Sequence, residues 1–137
     1  MKELPHTIEN EMAVLGCIIV RPEALEEVMG VITSESFYSP ANQKIYEVVM
    51  ELHDKGAAID VLTITNHLRD KGQIEKVGGA AYVSQLSNVT YSTHSAKDYA
   101  EHIQKRAVMR KIIQSAETIE GIGFDESLDM EDMVDTA

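Results

Sequence analysis

The chain has 137 residues, 44% hydrophobic and 26% charged, the balance of a soluble globule able to bury one core. Twelve Lys and Arg against 23 Asp and Glu give a formal net charge of −11, and there is no Trp; both oppose strong direct binding of DNA or RNA. The absence of a long apolar run excludes a transmembrane helix, the opening Met1-Lys2-Glu3-Leu4-Pro5-His6 has no signal core, and the single cysteine, Cys17, excludes an intrachain disulfide and fits a reducing cytoplasm.

The pattern is helical almost throughout. Pro5 breaks the start and Thr7 is the expected N-cap of a helix from Ile8 to about Val20, with Glu9 and Glu11 in its first turn. Ile8, Met12, Leu15 and Ile19 form its apolar stripe, and Ala13 and Gly16 leave room for a close neighbour. Pro22 opens a second helix with a stripe of Leu25, Val28, Met29 and Ile32. A capping and turn segment, Thr33 to Ser39, is expected to be pinned to the core by Phe37 and Tyr38.

Ser39-Pro40 starts a third helix that ends at Lys55-Gly56, and Asp60 caps a fourth that ends at Lys71-Gly72. Val61-Leu62-Thr63-Ile64-Thr65 is β-branched, but its flanking caps favour helix. Gly78-Gly79 precedes a short helix carrying Ala81, Tyr82, Val83 and Leu86, and Val89 to Thr93 is a polar turn. A long helix follows from about Ser95 to Glu120, interrupted by Gly121 and Gly123. Leu128, Met130, Met133, Val134 and Ala137 begin another, whose stripe reaches the last residue without a C-cap signal; this reads as a fragment of a longer protein, cut within a linker region.

The long helix changes face. At 100° per residue, Ala96, Tyr99, Ala100, Ile103 and Ala107 point one way, while Val108, Met109, Ile112, Ile113, Ala116 and Ile119 point roughly 180° away. Its first half should pack on the globule, and its second half should project and bury the opposite face. The helix beginning near Leu128 can fold back on that face as a hairpin. The second stripe spans about 140°, more than one neighbour covers, so Met109 and Ile113 call for a further helix from another subunit or partner. A long helix lying between two layers of one core is the alternative.

The sequence carries no catalytic motif. There is no G-x-x-x-x-G-K-[ST], and Gly78-Gly79-Ala80-Ala81 lacks the Lys and Ser/Thr that hold phosphates and magnesium. His6, His53, His67, His94 and His102 form no metal-ligand spacing and read as surface residues, and Cys17 reads as a small buried hydrophobe. Glu9, Glu11, Glu26, Glu27, Glu117, Glu120, Asp129, Glu131 and Asp132 fall on polar, solvated helix faces. Lys105, Arg106, Arg110 and Lys111 form the one basic cluster, exposed or facing an acidic partner surface, and no basic residue follows Lys111. No catalytic, cofactor-binding or metal-binding residue is assigned.

The order of landmarks resembles a family. Pro5-His6-Thr7-Ile8-Glu9-x-Glu11-x-Ala13-Val14-Leu15-Gly16 is similar to the opening of the N-terminal domain of the bacterial and phage replicative DNA helicases, the DnaB family. Pro22-Glu23-Ala24, Phe37-Tyr38, Ile45-Tyr46, Ile59-Asp60-Val61-Leu62-Thr63 and Val77-Gly78-Gly79-x-x-Tyr82-Val83-x-x-Leu86 continue the match, which ends on Tyr99-Ala100-x-x-Ile103-x-x-Arg106-Ala107-Val108-x-Arg110. Thr7 where Ser is common, and Asn88-Val89-Thr90-Tyr91 without a proline, are departures.

The resemblance implies an all-α fold: a globule of five or six helices over residues 1–93, then an incomplete helical hairpin over 94–137. Beyond it the family carries a linker and a RecA-like ATPase domain that uses ATP and magnesium. The resemblance further implies hexamers whose N-terminal domains pair through hairpins into a collar, with DNA primase, and a helicase loader, as partners. Met109, Ile112, Ile113, Ala116, Ile119, Met130 and Met133 are the expected self-association or docking residues, and Tyr82 is a weaker one. A stand-alone helical regulator or loader of a replicative helicase is the alternative reading, and a small enzyme built on Cys17 or a histidine a third.

Overall fold

The computed structural model describes residues 3–88 and 92–136, and no strand occurs among them. Seven α-helices follow in order: α1 (Ile8–Val20), α2 (Ala24–Val28), α3 (Pro40–Asp54), α4 (Val61–Asp70), α5 (Gly79–Leu86), α6 (Ala96–Phe124) and α7 (Met130–Thr136). Short 3₁₀ turns at Ser34–Ser36, Glu75–Val77 and Thr93–Ser95 join them. Val89, Thr90 and Tyr91 of the expected polar turn, and Ala137 of the last stripe, lie outside the described residues.

The core is built around α1, whose Val14, Leu15, Cys17 and Ile18 are fully buried. Ala13 and Gly16 are buried too, and α1 packs most extensively on the first half of α6, which presents Ala96, Ala100 and Ile103. Helices α3 and α5 cover the rest of α1 with Ile45, Val48, Val49, Val83 and Leu86. Burial of a side chain of this size is worth about 1.5–3 kcal/mol, so these residues supply much of the stabilisation. Phe37 is buried beside Tyr46, their ring centroids 5.1 Å apart; Tyr38 lies on the surface instead of in the core.

Local signals position the helices. Ser39 Oγ accepts from the Asn42 amide at 3.3 Å, with Pro40 in the first turn of α3. Asp60 Oδ1 accepts from the Thr63 amide at 2.8 Å and Thr63 Oγ1 accepts from the Asp60 amide at 3.0 Å, a capping box that makes the β-branched stretch helical. Helix α3 closes at Gly56, with φ +68°, where the Gly56 amide donates to the His53 carbonyl and the Ala57 amide to the Leu52 carbonyl. Helix α4 ends the same way at Gly72.

One local expectation holds in position only, and two fail. Thr7 occupies the N-cap of α1 but its side chain makes no capping bond; its hydroxyl accepts from Asn10 Nδ2 at 2.7 Å. The second helix is only one turn and a half, because the chain turns at Met29–Val31 and buries Ile32 beyond the helix. Gly121 and Gly123 do not interrupt α6, which continues through Phe124. A glycine costs an exposed helix about 1 kcal/mol relative to alanine, which weakens a helix without ending it.

Glu51 on α3 staples α4: it accepts from the Lys71 ammonium and pairs with His67 Nε2 at 2.6 Å. The Lys71 hydrogen bond, with His67 behind it, holds the Glu51 carboxyl below the ordinary glutamate range. A carboxyl lowered by folding adds stability above its unfolded value near 4.5 and loses it as pH falls through the folded one. Glu51→Gln should therefore cost less than about 1 kcal/mol at neutral pH, because the pair is over one-third exposed, and the cost should shrink below pH 4.5. Urea midpoints of both proteins at the two pH values check this.

Candidate functional site

Helix α6 leaves the globule at Arg110. This residue is only 8% exposed. Its Nη1 donates to the Pro5 carbonyl and its Nη2 to the Ser36 carbonyl, both at 2.8 Å. Its guanidinium carbon lies 5.5 Å from the centre of the Tyr38 ring, which stacks on His6 with centroids 4.1 Å apart. One turn and a half earlier, Gln104 Oε1 accepts from the Ser36 hydroxyl at 2.8 Å. Arg110 is thus removed from the expected exposed basic cluster: it braces the foot of the projecting helix, while Lys105 and Lys111 remain exposed.

From Val108 onward the helix carries its second apolar stripe into solvent. Val108, Met109, Ile112, Ala116 and Ile119 are exposed, Ile112 at 64%; Ile113 is half-buried. After the loop, Asp129 Oδ1 accepts from the Asp132 amide at 2.8 Å and starts α7. Asp125 Oδ1 accepts from the Ser127 hydroxyl and amide, bonds that hold its carboxyl below the usual range. Helix α7 folds back so that Thr136 lines a groove with Lys111, Gln114, Ser115, Thr118 and Ile119.

That groove corrects one expectation. On the helical wheel its α6 residues lie roughly a third of a turn from the centre of the apolar stripe. Helix α7 therefore flanks the stripe instead of covering it. None of its described residues is buried: Met130 is 81% exposed and Val134 is exposed, while Met133 and, before the helix, Leu128 are half-buried. The hairpin exposes apolar side chains on both arms, a surface that monomers seldom keep.

Glu11, expected on a solvated face, is only 1% exposed. Its carboxyl oxygens accept from the Tyr38 amide at 2.9 Å, the Ser39 amide at 3.3 Å and Asn42 Nδ2 at 3.0 Å. Tyr82 is half-buried and donates its hydroxyl to Asn42 Oδ1 at 2.6 Å, so its polar end belongs to this internal network. Nothing in local sequence marked Glu11 or Arg110 as buried; their partners come from distant segments.

Cys17 is buried with its thiol 3.6 Å from the Ser92 carbonyl, and burial raises its pKa, which disfavours the thiolate. His6 and His67 are half-buried in the stack and the staple described, and His94 and His102 are exposed. Among the described residues no group of three His, Cys, Asp or Glu could hold a metal ion, and no helix is long and apolar enough to cross a membrane. Gly78 takes φ +102° at the start of α5, where a Cβ would stand 3.1 Å from that of Tyr82.

The family profile described as "DnaB-like helicase N terminal domain" matches residues 3–105. The chain belongs to this family. The DnaB-like fold agrees in detail with the crystal structure of the N-terminal domain of DnaB helicase from Mycobacterium tuberculosis: TM-score 0.92 at 25% identity, covering 97% of this chain and 94% of that one. The Helicobacter pylori DnaB N-terminal domain, whose structure was described together with its interactions with primase, shares the fold at TM-score 0.67 and 23% identity, over 85% of this chain and 90% of that one. The replicative DNA helicase DnaC of Bacillus subtilis is 32% identical over 97% of this chain and 29% of that protein. Replicative DNA helicase DnaB of Geobacillus stearothermophilus is 31% identical over the same shares. The DnaB-like domain thus spans under a third of the length of these curated relatives.

Proposed function

We propose that this chain is the assembly and docking domain of a hexameric replicative DNA helicase. Two copies pair through their hairpins, the pairs form a collar, and the collar receives DNA primase, with a helicase loader as a further partner. The globule over residues 1–93 carries the hairpin over residues 94–137. ATP and magnesium then belong to a RecA-like motor domain, and the protein works in the cytoplasm. The observation that supports this reading is the exposed stripe of Met109, Ile112 and Ile119, which α7 leaves open. The primase interaction described for the Helicobacter pylori relative supports the docking role. A stand-alone regulator is not favoured, because the matched family and the curated relatives are themselves helicases.

Sedimentation equilibrium tests the pairing. The wild type should form a concentration-dependent dimer. Ile112→Asp puts a charge into the pairing surface and should weaken the dimer by about 2 kcal/mol or more, with helicity unchanged because the side chain touches no core. A wild type that stays monomeric at high concentration would show the pairing reading to be wrong. Titration of the collar domain with the primase of the same genome tests the docking role.

A further inference from the structure

We infer that residues 4–6 form a releasable strap. Closed, it fixes the direction in which α6 leaves the globule; open, it lets the projecting half of α6 swing while the globule stays folded. Along α6 the last apolar side chain to be buried among the described residues is Ile103. The next buried residue is Arg110, about two turns further on. Ile103 is held by packing in the core, whereas Arg110 is held by hydrogen bonds to two carbonyls. Between them Gln104 accepts from the Ser36 hydroxyl, and Ala107 is half-buried. The foot of the arm is thus fastened by polar contacts that water can replace at modest net cost, and the helix below it by apolar burial that water cannot replace.

The two carbonyls that Arg110 holds are not equivalent. Ser36 belongs to a fixed post: it is buried, Phe37 beside it is in the core, and Glu11 holds the amides of Tyr38 and Ser39. Pro5 belongs to an irregular segment in which Leu4, Pro5 and His6 are all only half-buried. Within that segment His6 Nδ1 donates to the Leu4 carbonyl at 2.7 Å, and the His6 ring lies 9° from parallel with the Tyr38 ring of the post. The Arg110 guanidinium lies over that same Tyr38 ring. His6, Tyr38 and Arg110 therefore close the strap together. Opening it gives up one charge-assisted hydrogen bond and one ring stack at the surface, while Arg110 keeps its bond to Ser36. The strap has its own pivot. The Thr7 carbonyl accepts from the Glu11 amide at 3.1 Å and the Thr7 hydroxyl accepts from Asn10, so residues 4–6 can lift away without unwinding α1. The device acts within one copy and does not rest on hairpin pairing.

Two measurements test the strap, on the full chain, on a chain starting at Thr7, and on His6→Ala. In the first, spin labels on Asn66→Cys of the globule and Glu117→Cys of the arm, both exposed positions, report the direction of the arm by double electron–electron resonance. An excess of unlabelled chain confines the reading to distances within one copy. The full chain should give one narrow distance peak, the chain starting at Thr7 a clearly broader one, and His6→Ala a width between them. In the second, amide hydrogen exchange is followed at low urea. Removing the strap should speed exchange at residues 108–112 about tenfold, the factor that corresponds to one lost charge-assisted hydrogen bond. That exchange should stay insensitive to urea, as a local opening is, while Val14 to Ile18 of the core exchange only with global unfolding. An unchanged distance distribution in the chain starting at Thr7 overturns the strap. So does exchange of residues 108–112 and the core together at one urea-dependent rate, because the segment would then be holding the whole globule. A monomeric wild type overturns hairpin pairing and leaves the strap standing.

Discussion

Arg110→Met should lower the unfolding free energy by about 3 kcal/mol, a large share of a domain's total stability. The substitution keeps the aliphatic length but removes both donors, leaving the carbonyls of half-buried Pro5 and buried Ser36 without their partner. A hydrogen bond to a charged group contributes about 1.5–3 kcal/mol, and part of the sum is offset because the buried guanidinium no longer has to be desolvated. Arg110→Lys should recover less than half of the loss, because one compact ammonium cannot span carbonyls that the forked guanidinium reaches separately. Urea unfolding followed by circular dichroism measures both, and a loss below about 0.5 kcal/mol for the methionine variant would falsify the bracing role. The functional consequence is directional: the brace fixes the angle at which α6 departs, and so where the stripe is presented.

Glu11→Ala should cost about 4 kcal/mol. Three donors, from Tyr38, Ser39 and Asn42, lose their acceptor together, and an orphaned buried donor costs about 1–3 kcal/mol. The values will not add fully, because the network shares its members and the site can relax. Glu11→Gln keeps one acceptor but turns an amide N–H toward the donors, so about half of the cost is expected. Thermal unfolding of the two variants against wild type decides it. Equal stability of all three would mean that water satisfies these donors and that the network contributes little. Because the network ties α1 to the start of α3 and, through Asn42, to Tyr82 of α5, its loss should loosen the globule while leaving α6 beyond Arg110 unchanged.

These two residues lie at the base of the hairpin and in the globule, not on the stripe itself, and this separates two roles. The globule is a mount, closed by buried contacts and internal polar bonds. In the proposed assembly the stripe is the pairing surface, and its Val108, Met109, Ile112 and Ile119 are exposed within one copy. Variants of the mount should change stability, and variants at Ile112 should change association with stability intact.

Much of this architecture is legible in the amino-acid sequence. Helix positions follow from Pro40, Asp60, Gly56 and Gly72, because caps and glycine turns act through bonds a few residues long. The half-turn between Ile103 and Ile112 is likewise arithmetic on one helix, and it correctly separates a buried foot from an exposed arm. Arg110 and Glu11 escaped because their partners lie 105, 74, 27, 28 and 31 residues away in sequence. A charged side chain on a helix reads as solvated until tertiary packing folds a chain segment over it and supplies carbonyls or amides in place of water. The seat of α7 was also undecidable from periodicity, which names the apolar face of α6 but not the rotation at which a seven-residue helix returns on it. That rotation depends on the loop from Asp125 to Asp129 and its Asx turn, and it leaves the stripe free for a second molecule.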